Sequence, residues 1–492
     1  MQHCATIAAR CAVASLVATL IACADHPTAP LTRSSDLPGI AQRSASGVPT
    51  GRTVVVFRDT SSIPAAGLAL LGSLGGTVSS NWSDIGVAIV SGLSTSAIST
   101  LASSDLVAAV GNDRVLNWLP NLKIGTAVSE GPSLATHRDP TKARYYADGT
   151  QWSMRVIQAD KAWAAGRQGT PTTRVAVLDT GIDYGHRELT GLVDLEASKS
   201  FATIIVSEGG IGTEVPYEPQ QPGDLPFMDN HFHGTHVAST IASNSISVAP
   251  VAPHVTLIAV KVLSATGSGS FEGVASGIRH AAGPANADVI NMSLGAEIDY
   301  NEEGAPALLE MMSRVIKAAE KAGTIVISAA GNSALDLDAG SLVATPCEQS
   351  TVCVSATGPL MQQNFDQPAT YTNYGITAIE VAAPGGNASD TEEYVNKDLI
   401  IGACSRRASS GTLVICRTST EGVAYFYAYA AGTSMATPHV AGLAALIKSH
   451  DPLISVSGIR SKILHSADDI GVKGRDVYSN WGRINVAKAL GL

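Results

Sequence analysis

The pattern of apolar positions changes character at about residue 151. Beyond it, short runs are apolar throughout rather than alternating: RVAVLD (174–179), VTLIAVKVL (255–263), DVINMSLG (288–295), TIVISAAGN (324–332), TVCVSATG (351–358) and IEVAAPG (379–385). Helical spacing of apolar residues lies between several of them, most clearly at Ala305–Ala322 and Thr437–Ser449. Strands with no polar face are covered on both sides, so the pattern predicts an α/β domain with a mainly parallel sheet flanked by helices. Ligands of such sheets lie beyond the carboxyl ends of the strands, here marked by Asp179, by Ser293, Leu294 and Gly295, and by Gly331 and Asn332.

Upstream the pattern is different. RTVVVF (52–57) reads as a strand and Pro64–Leu74 as a helix stopped by Gly75 and Gly76. TVSSNWSDIGVAIVSG predicts two strands around a turn, Ser94–Ser103 a second helix, and LVAAVGNDRVL a last strand. This β-α-β-β-α-β order describes a small ferredoxin-like α+β unit over 51–118. Periodicity then disappears, so 119–150 is expected to be an exposed connector, and the Pro/Ser/Thr-rich stretch 24–50 a flexible linker.

Residues 1–23 read as an export signal: Arg10 precedes the apolar run Cys11–Ala22, which is too short to span a bilayer. Two cleavage readings stand. Leu20-Ile21-Ala22-Cys23 resembles a bacterial lipobox, with Cys23 as the lipidated residue, and Ala22-Cys23-Ala24 fits an ordinary signal site. A lipid on Cys23 would be the one membrane contact.

Composition narrows the function classes. With 45% hydrophobic and 15% charged residues the chain is globular, and a net charge of −10 without a basic block argues against nucleic-acid binding. Of seven cysteines, Cys4, Cys11 and Cys23 fall in the signal. The others form close pairs, Cys347 with Cys353 and Cys404 with Cys416, which read as local disulfides of an oxidising compartment; buried free thiols are the alternative.

The candidate chemistry is dispersed. Asp179 ends a strand and is followed by the turn residues Thr180 and Gly181. In NHFHGTHVAST, His231, His233 and His236 have zinc-ligand spacing, but Thr235 stands where a metallo-β-lactamase-type site expects Asp. Ser434 lies in GTSMATPHVAG between the small residues Gly432 and Ala436, at the start of a helix whose free N–H groups face any oxyanion. A serine nucleophile needs an imidazole base and an anion to orient it. Asn332, on a loop after a strand, offers a second oxyanion donor.

Together LDTGID, HGTHVA and GTSMATPHVAG resemble the subtilisin-like serine proteases over Gln151–Leu492. The resemblance implies Asp179, His233 and Ser434 as a triad, Asn332 as oxyanion donor, and peptide hydrolysis with no cofactor. It implies that GSGSF (Gly267, Ser268, Gly269, Phe271) and SLG (Ser293, Leu294, Gly295) hold an extended peptide, with Phe271 lining an apolar pocket. It also implies that 51–118 is a propeptide, chaperone and inhibitor, removed by self-cleavage between Pro120 and Gln151. Separately, the chain is expected to be a monomer. The sequence departs from the family at Ser239, usually Gly. It departs also in the loop Asn244–Pro253, about two residues shorter than the family's calcium-binding loop, and in an insertion between Glu196 and Asp229. A zinc hydrolase or a non-catalytic surface binding protein are the competing functions.

Overall fold

The computed structural model describes residues 47–130, 138–208, 211–217, 221–389, 395–408, 416 and 425–492. The export signal, with Cys4, Cys11 and Cys23, lies outside the described residues.

Seven parallel strands form the main sheet in the order Val381–Pro384, Val352–Thr357, Ile325–Ala329, Val289–Met292, Arg174–Asp179, Thr256–Lys261, Lys199–Ser200. Each predicted apolar run supplies one of them. The reason is visible in the core. Val175 and Val177 face one apolar cluster while Ala176 and Leu178 face another, and Leu257 and Ala259 alternate likewise with Ile258 and Val260. Burial on both faces favours apolar side chains, at about 25 cal/mol per Å2 of apolar surface removed from water. The helix Thr433–His450 packs across five of these strands and is buried from Thr433 to Ile447. It starts a turn before the 437–449 periodicity, so Pro438 lies within it.

The N-terminal unit has the expected order: strands Val48–Phe57, Thr77–Trp82, Val87–Ser91 and Val107–Asn117, with helices Ala65–Ser73 and Thr95–Ala102. Its sheet runs 107–117, 48–57, 87–91, 77–82, all antiparallel, and Ser268–Ser270 of the parallel-sheet part adds a fifth strand beside 107–117. The unit also seats on the helix Ala305–Lys321, where the Arg314 guanidinium donates to the carbonyls of Phe57 (2.9 Å) and Ile85 (3.0 Å).

Two expectations fail. Strand structure begins at Val48, inside the stretch read as linker. The connector is exposed only in part among its described residues: Lys123–Glu130 is a strand paired with Tyr425–Ala431, and Arg144–Ala147 is a helical turn with Tyr145 and Tyr146 buried. An edge strand of mixed polarity carries no period of its own, and its pairing partner lies far along the chain.

The insertion is a hairpin, Thr203–Glu208 with Ile211–Pro216. Cys347 is joined to Cys353 and Cys404 to Cys416. Ser239, the departure from glycine, has a bonding role: its Oγ donates to the His236 carbonyl and accepts from the Ala403 N–H, both at 2.9 Å, so the helix His233–Ile241 is tied to the strand Ile400–Cys404.

Candidate active site

Asp179 closes its strand, and the backbone turns at once, so the Thr180 N–H donates to Asp179 Oδ1 at 2.7 Å. His233 opens the following helix and sets Nδ1 2.8 Å from Asp179 Oδ1 and 3.0 Å from Oδ2, both side chains fully buried. With Nδ1 donating to the carboxylate, Nε2 is the acceptor nitrogen, and it has no hydrogen-bond partner among the described residues.

Asp229 builds this junction, and the motifs gave no sign of it. Its carboxylate accepts from the backbone N–H of His231, Phe232 and Thr235 and from Thr235 Oγ1. Thr180 Oγ1 donates to it at 2.9 Å and accepts from Gly234 N at 3.0 Å. One carboxylate thus caps the histidine helix and ties it to the residue after Asp179. Gly234 is required here, because a Cβ would lie 2.0 Å from the Gly181 carbonyl oxygen. Lys261, a charge within an apolar strand, is buried behind the same turn and donates to the Thr180 carbonyl. Burial pulls its pKa down to about 8, against the attraction of Asp229 and Asp179. The ring of Tyr217, from the insertion, lies 4.8 Å from its ammonium.

Ser434 is the second residue of its helix and only 4% exposed. Asn332 is fixed by its own carbonyl: Oδ1 accepts from Thr433 N (2.8 Å) and Thr433 Oγ1 (2.9 Å), which leaves Nδ2 facing the cleft, 3.5 Å from the Pro120 oxygen. Ser434, Asn332, Leu294 and Gly295 line one small pocket. The histidine and serine helices pack against each other, each presenting its candidate within its first turn.

The two predicted edges flank an extended peptide, and that peptide is the chain itself. Trp118 N donates to Gly267 O (2.9 Å), Gly295 N donates to Trp118 O (3.0 Å), and Ser268 and Gly269 pair with Asn117 and Leu116. The Trp118 indole bonds the Gly269 carbonyl and meets the Phe271 ring edge-on at 4.9 Å. Ser293 differs from its neighbours: its Oγ accepts from Asn291 Nδ2, so it braces the strand end.

The zinc alternative does not survive the geometry. His233 faces Asp179, His231 stacks on Phe232 (5.0 Å), and His236 Nε2 lies 3.1 Å from the carbonyls of Ile400 and Ala428. The three imidazoles point to separate partners, and the described residues contain no metal-ligand cluster.

The shortened loop does not fit calcium either. It turns N–H groups inward, Ile246 N and Ser247 N donating to Glu188 at 3.1 and 2.7 Å. The Arg187 guanidinium stands beside it, bonded to Tyr427 Oη (3.0 Å), Ser247 Oγ (3.0 Å) and Glu130 (2.5 Å). Calcium takes six to eight oxygen ligands; here donors and a fixed cation stand beside the carboxylate.

Residues 170–482 match the subtilase family. The chain belongs to that family. This subtilase is 33% identical over 365 residues to subtilisin NAT of Bacillus subtilis subsp. natto, covering 74% of this chain and 77% of that one. It is 30% identical over 396 residues to the thermophilic serine proteinase of Bacillus sp. (strain AK1), covering 77% and 80%. Its fold is shared with the epidermin leader peptide processing serine protease of Staphylococcus aureus (TM-score 0.64, 20% identity, 89% of this chain and 97% of that one). The subtilase is a serine-type endopeptidase with protein substrates.

Four buried histidines of the subtilase, His186, His231, His236 and His439, are pushed from 6.5 down to about 4, in each case chiefly by burial. The unfolded chain binds these protons below about pH 6.5 and the folded one refuses them until about pH 4, so stability present at neutral pH is lost as pH falls through that window. His439→Gln, which keeps a donor for the Met435 carbonyl, should make the pH dependence of the denaturant midpoint shallower between pH 6.5 and about 4 by up to roughly 3 kcal/mol of stability. An equally steep profile would refute it.

Proposed function

We propose that this subtilase is an exported, self-processing zymogen in which Asp179 orients His233, His233 activates Ser434 and Asn332 receives the oxyanion. One observation carries the assignment: a fully buried Asp179–His233 pair leaves Nε2 without a partner, on a helix packed against the one whose second residue is Ser434. His233 Nε2 takes the Ser434 proton as Oγ attacks the peptide carbonyl carbon. Negative charge collects on the carbonyl oxygen, where Asn332 Nδ2 and the N–H groups of the serine helix receive it. The C–N bond breaks as His233 returns the proton to the leaving nitrogen, giving an acyl-enzyme. Water then adds to the acyl carbon, its proton passing to His233, and the acid product leaves with Ser434 Oγ reprotonated. No metal enters any step.

The zymogen reading is supported by the last strand of the N-terminal unit, which extends the catalytic edge at Ser268–Ser270 and leads the chain past Ser434. Asp113 strengthens that contact, bridging Arg52 (2.7 Å) and the Glu272 N–H (3.2 Å). Export is supported by Arg10 and the run Cys11–Ala22, with either signal cleavage or lipidation at Cys23, and by two disulfides. We take the mature enzyme to be a monomer.

Ser434→Ala in the full chain should leave the polypeptide uncut and lower peptidase activity by several orders of magnitude, read by gel and with a peptide substrate; self-cutting by the purified variant would sink the nucleophile. Calcium and chelator should leave the thermal midpoint alike, because Arg187 and Glu188 already complete the loop; a rise of several degrees in calcium would reveal a site.

A further inference from the structure

The chain crosses the site without a break. The Pro120 carbonyl lies 3.5 Å from Asn332 Nδ2, so residues up to 120 occupy the acyl side of the cleft and those from Asn121 onward the leaving-group side. Leu122 lies beside Gly432, and Lys123 and Ile124 pair with Ala431 and Ala430, immediately before Ser434. The ladder continues to Glu130 opposite Tyr425.

This strand is built into the catalytic part. Ile124, Ala127 and Val128 pack on its core, and Asn396 Nδ2 donates to Thr126 Oγ1 at 2.8 Å. Gly125 is pressed so close that a Cβ would lie 2.6 Å from Leu399 and 3.0 Å from Tyr429. Glu130 is buried and accepts from Arg187 (2.5 Å) and Ser247 Oγ (2.7 Å), with Arg144 at 3.1 Å from its other oxygen. Loss of Glu130 would strip a buried guanidinium of a carboxylate and free the Ser247 hydroxyl that it holds, while Glu188 keeps the loop's backbone.

We infer that the Lys123–Glu130 strand stays with the mature enzyme as the wall of the cleft on the leaving-group side, held by Glu130, and restricts the substrate residues on the C-terminal side of the scissile bond. This rests on the self-processing reading above. A single cut near 119–122 frees the N-terminal unit, and the new N-terminus remains seated beside Ser434.

The test uses the full chain after self-processing. Intact mass and N-terminal sequencing should place the new terminus between Leu119 and Lys123 with Glu130 retained; a terminus beyond Glu130 overturns the inference. A chain that is active yet never cut overturns the self-processing reading, and this inference with it, and is told apart because no new terminus appears. The second arm compares an acyl anilide with a peptide of the same acyl part extended several residues past the bond. Glu130→Gln and Gly125→Val, which unseat the strand, should raise the ratio of kcat/KM for the extended peptide over the anilide about tenfold. Anilide turnover should stay near that of the parent, which shows the variants are folded. An unchanged ratio in a variant that retains anilide turnover overturns the inference, and Glu130→Gln decides alone if Gly125→Val does not fold.

Discussion

A carboxylate sealed from water has to find donors in the protein, and the site is arranged around that demand. Asp179 finds one in the next backbone N–H and another in the His233 imidazole. The imidazole is thereby held in one tautomer with its second nitrogen pointing away from the carboxylate. Each further feature of the junction serves this geometry. Asp229 collects the free N–H groups at the start of the histidine helix, Thr180 links that cap to the strand, and the buried Lys261 offsets the negative charge of two neighbouring carboxylates. Removing any one of these would leave a buried polar group without its partner, which is costlier than never having buried it.

The parallel sheet makes such a site possible. All seven strands run the same way, so their carboxyl ends gather at one rim. The serine helix, buried from Thr433 to Ile447, packs across five of these strands, and its first residue is bonded to Asn332. Asn332 commits its carbonyl oxygen to Thr433 and turns its amide to the cleft, which makes the serine helix and the candidate oxyanion donor a single piece. In the proposed mechanism this preorganisation is the main source of rate.

The same rim explains the N-terminal segments. A strand edge next to a cleft binds extended chain, and the chain supplies its own: Val107–Asn117 on one side, Lys123–Glu130 on the other. The first belongs to a separate antiparallel sheet and is suited to leave. The second is riveted by a buried ion pair in the region where relatives' calcium loop was expected, and the cation there is the side chain of Arg187.

The strand segments, the two-sided burial of the sheet, the βαββαβ unit and the candidates Asp179, His233, Ser434 and Asn332 were all legible in the residues, because each rests on local periodicity or on a short motif with its own chemistry. Asp229, Lys261, Glu130 and Arg187 were not, since a lone charge in a sequence does not announce the partner that will bury it. Nor was the Lys123–Glu130 strand, whose polarity alternates with nothing until Tyr425–Ala431 lies beside it. The amino-acid order determined which segments must be buried and which residues could do chemistry. Only the tertiary structure decided which charges meet, because pairing between distant segments depends on where the whole sheet and its helices bring them.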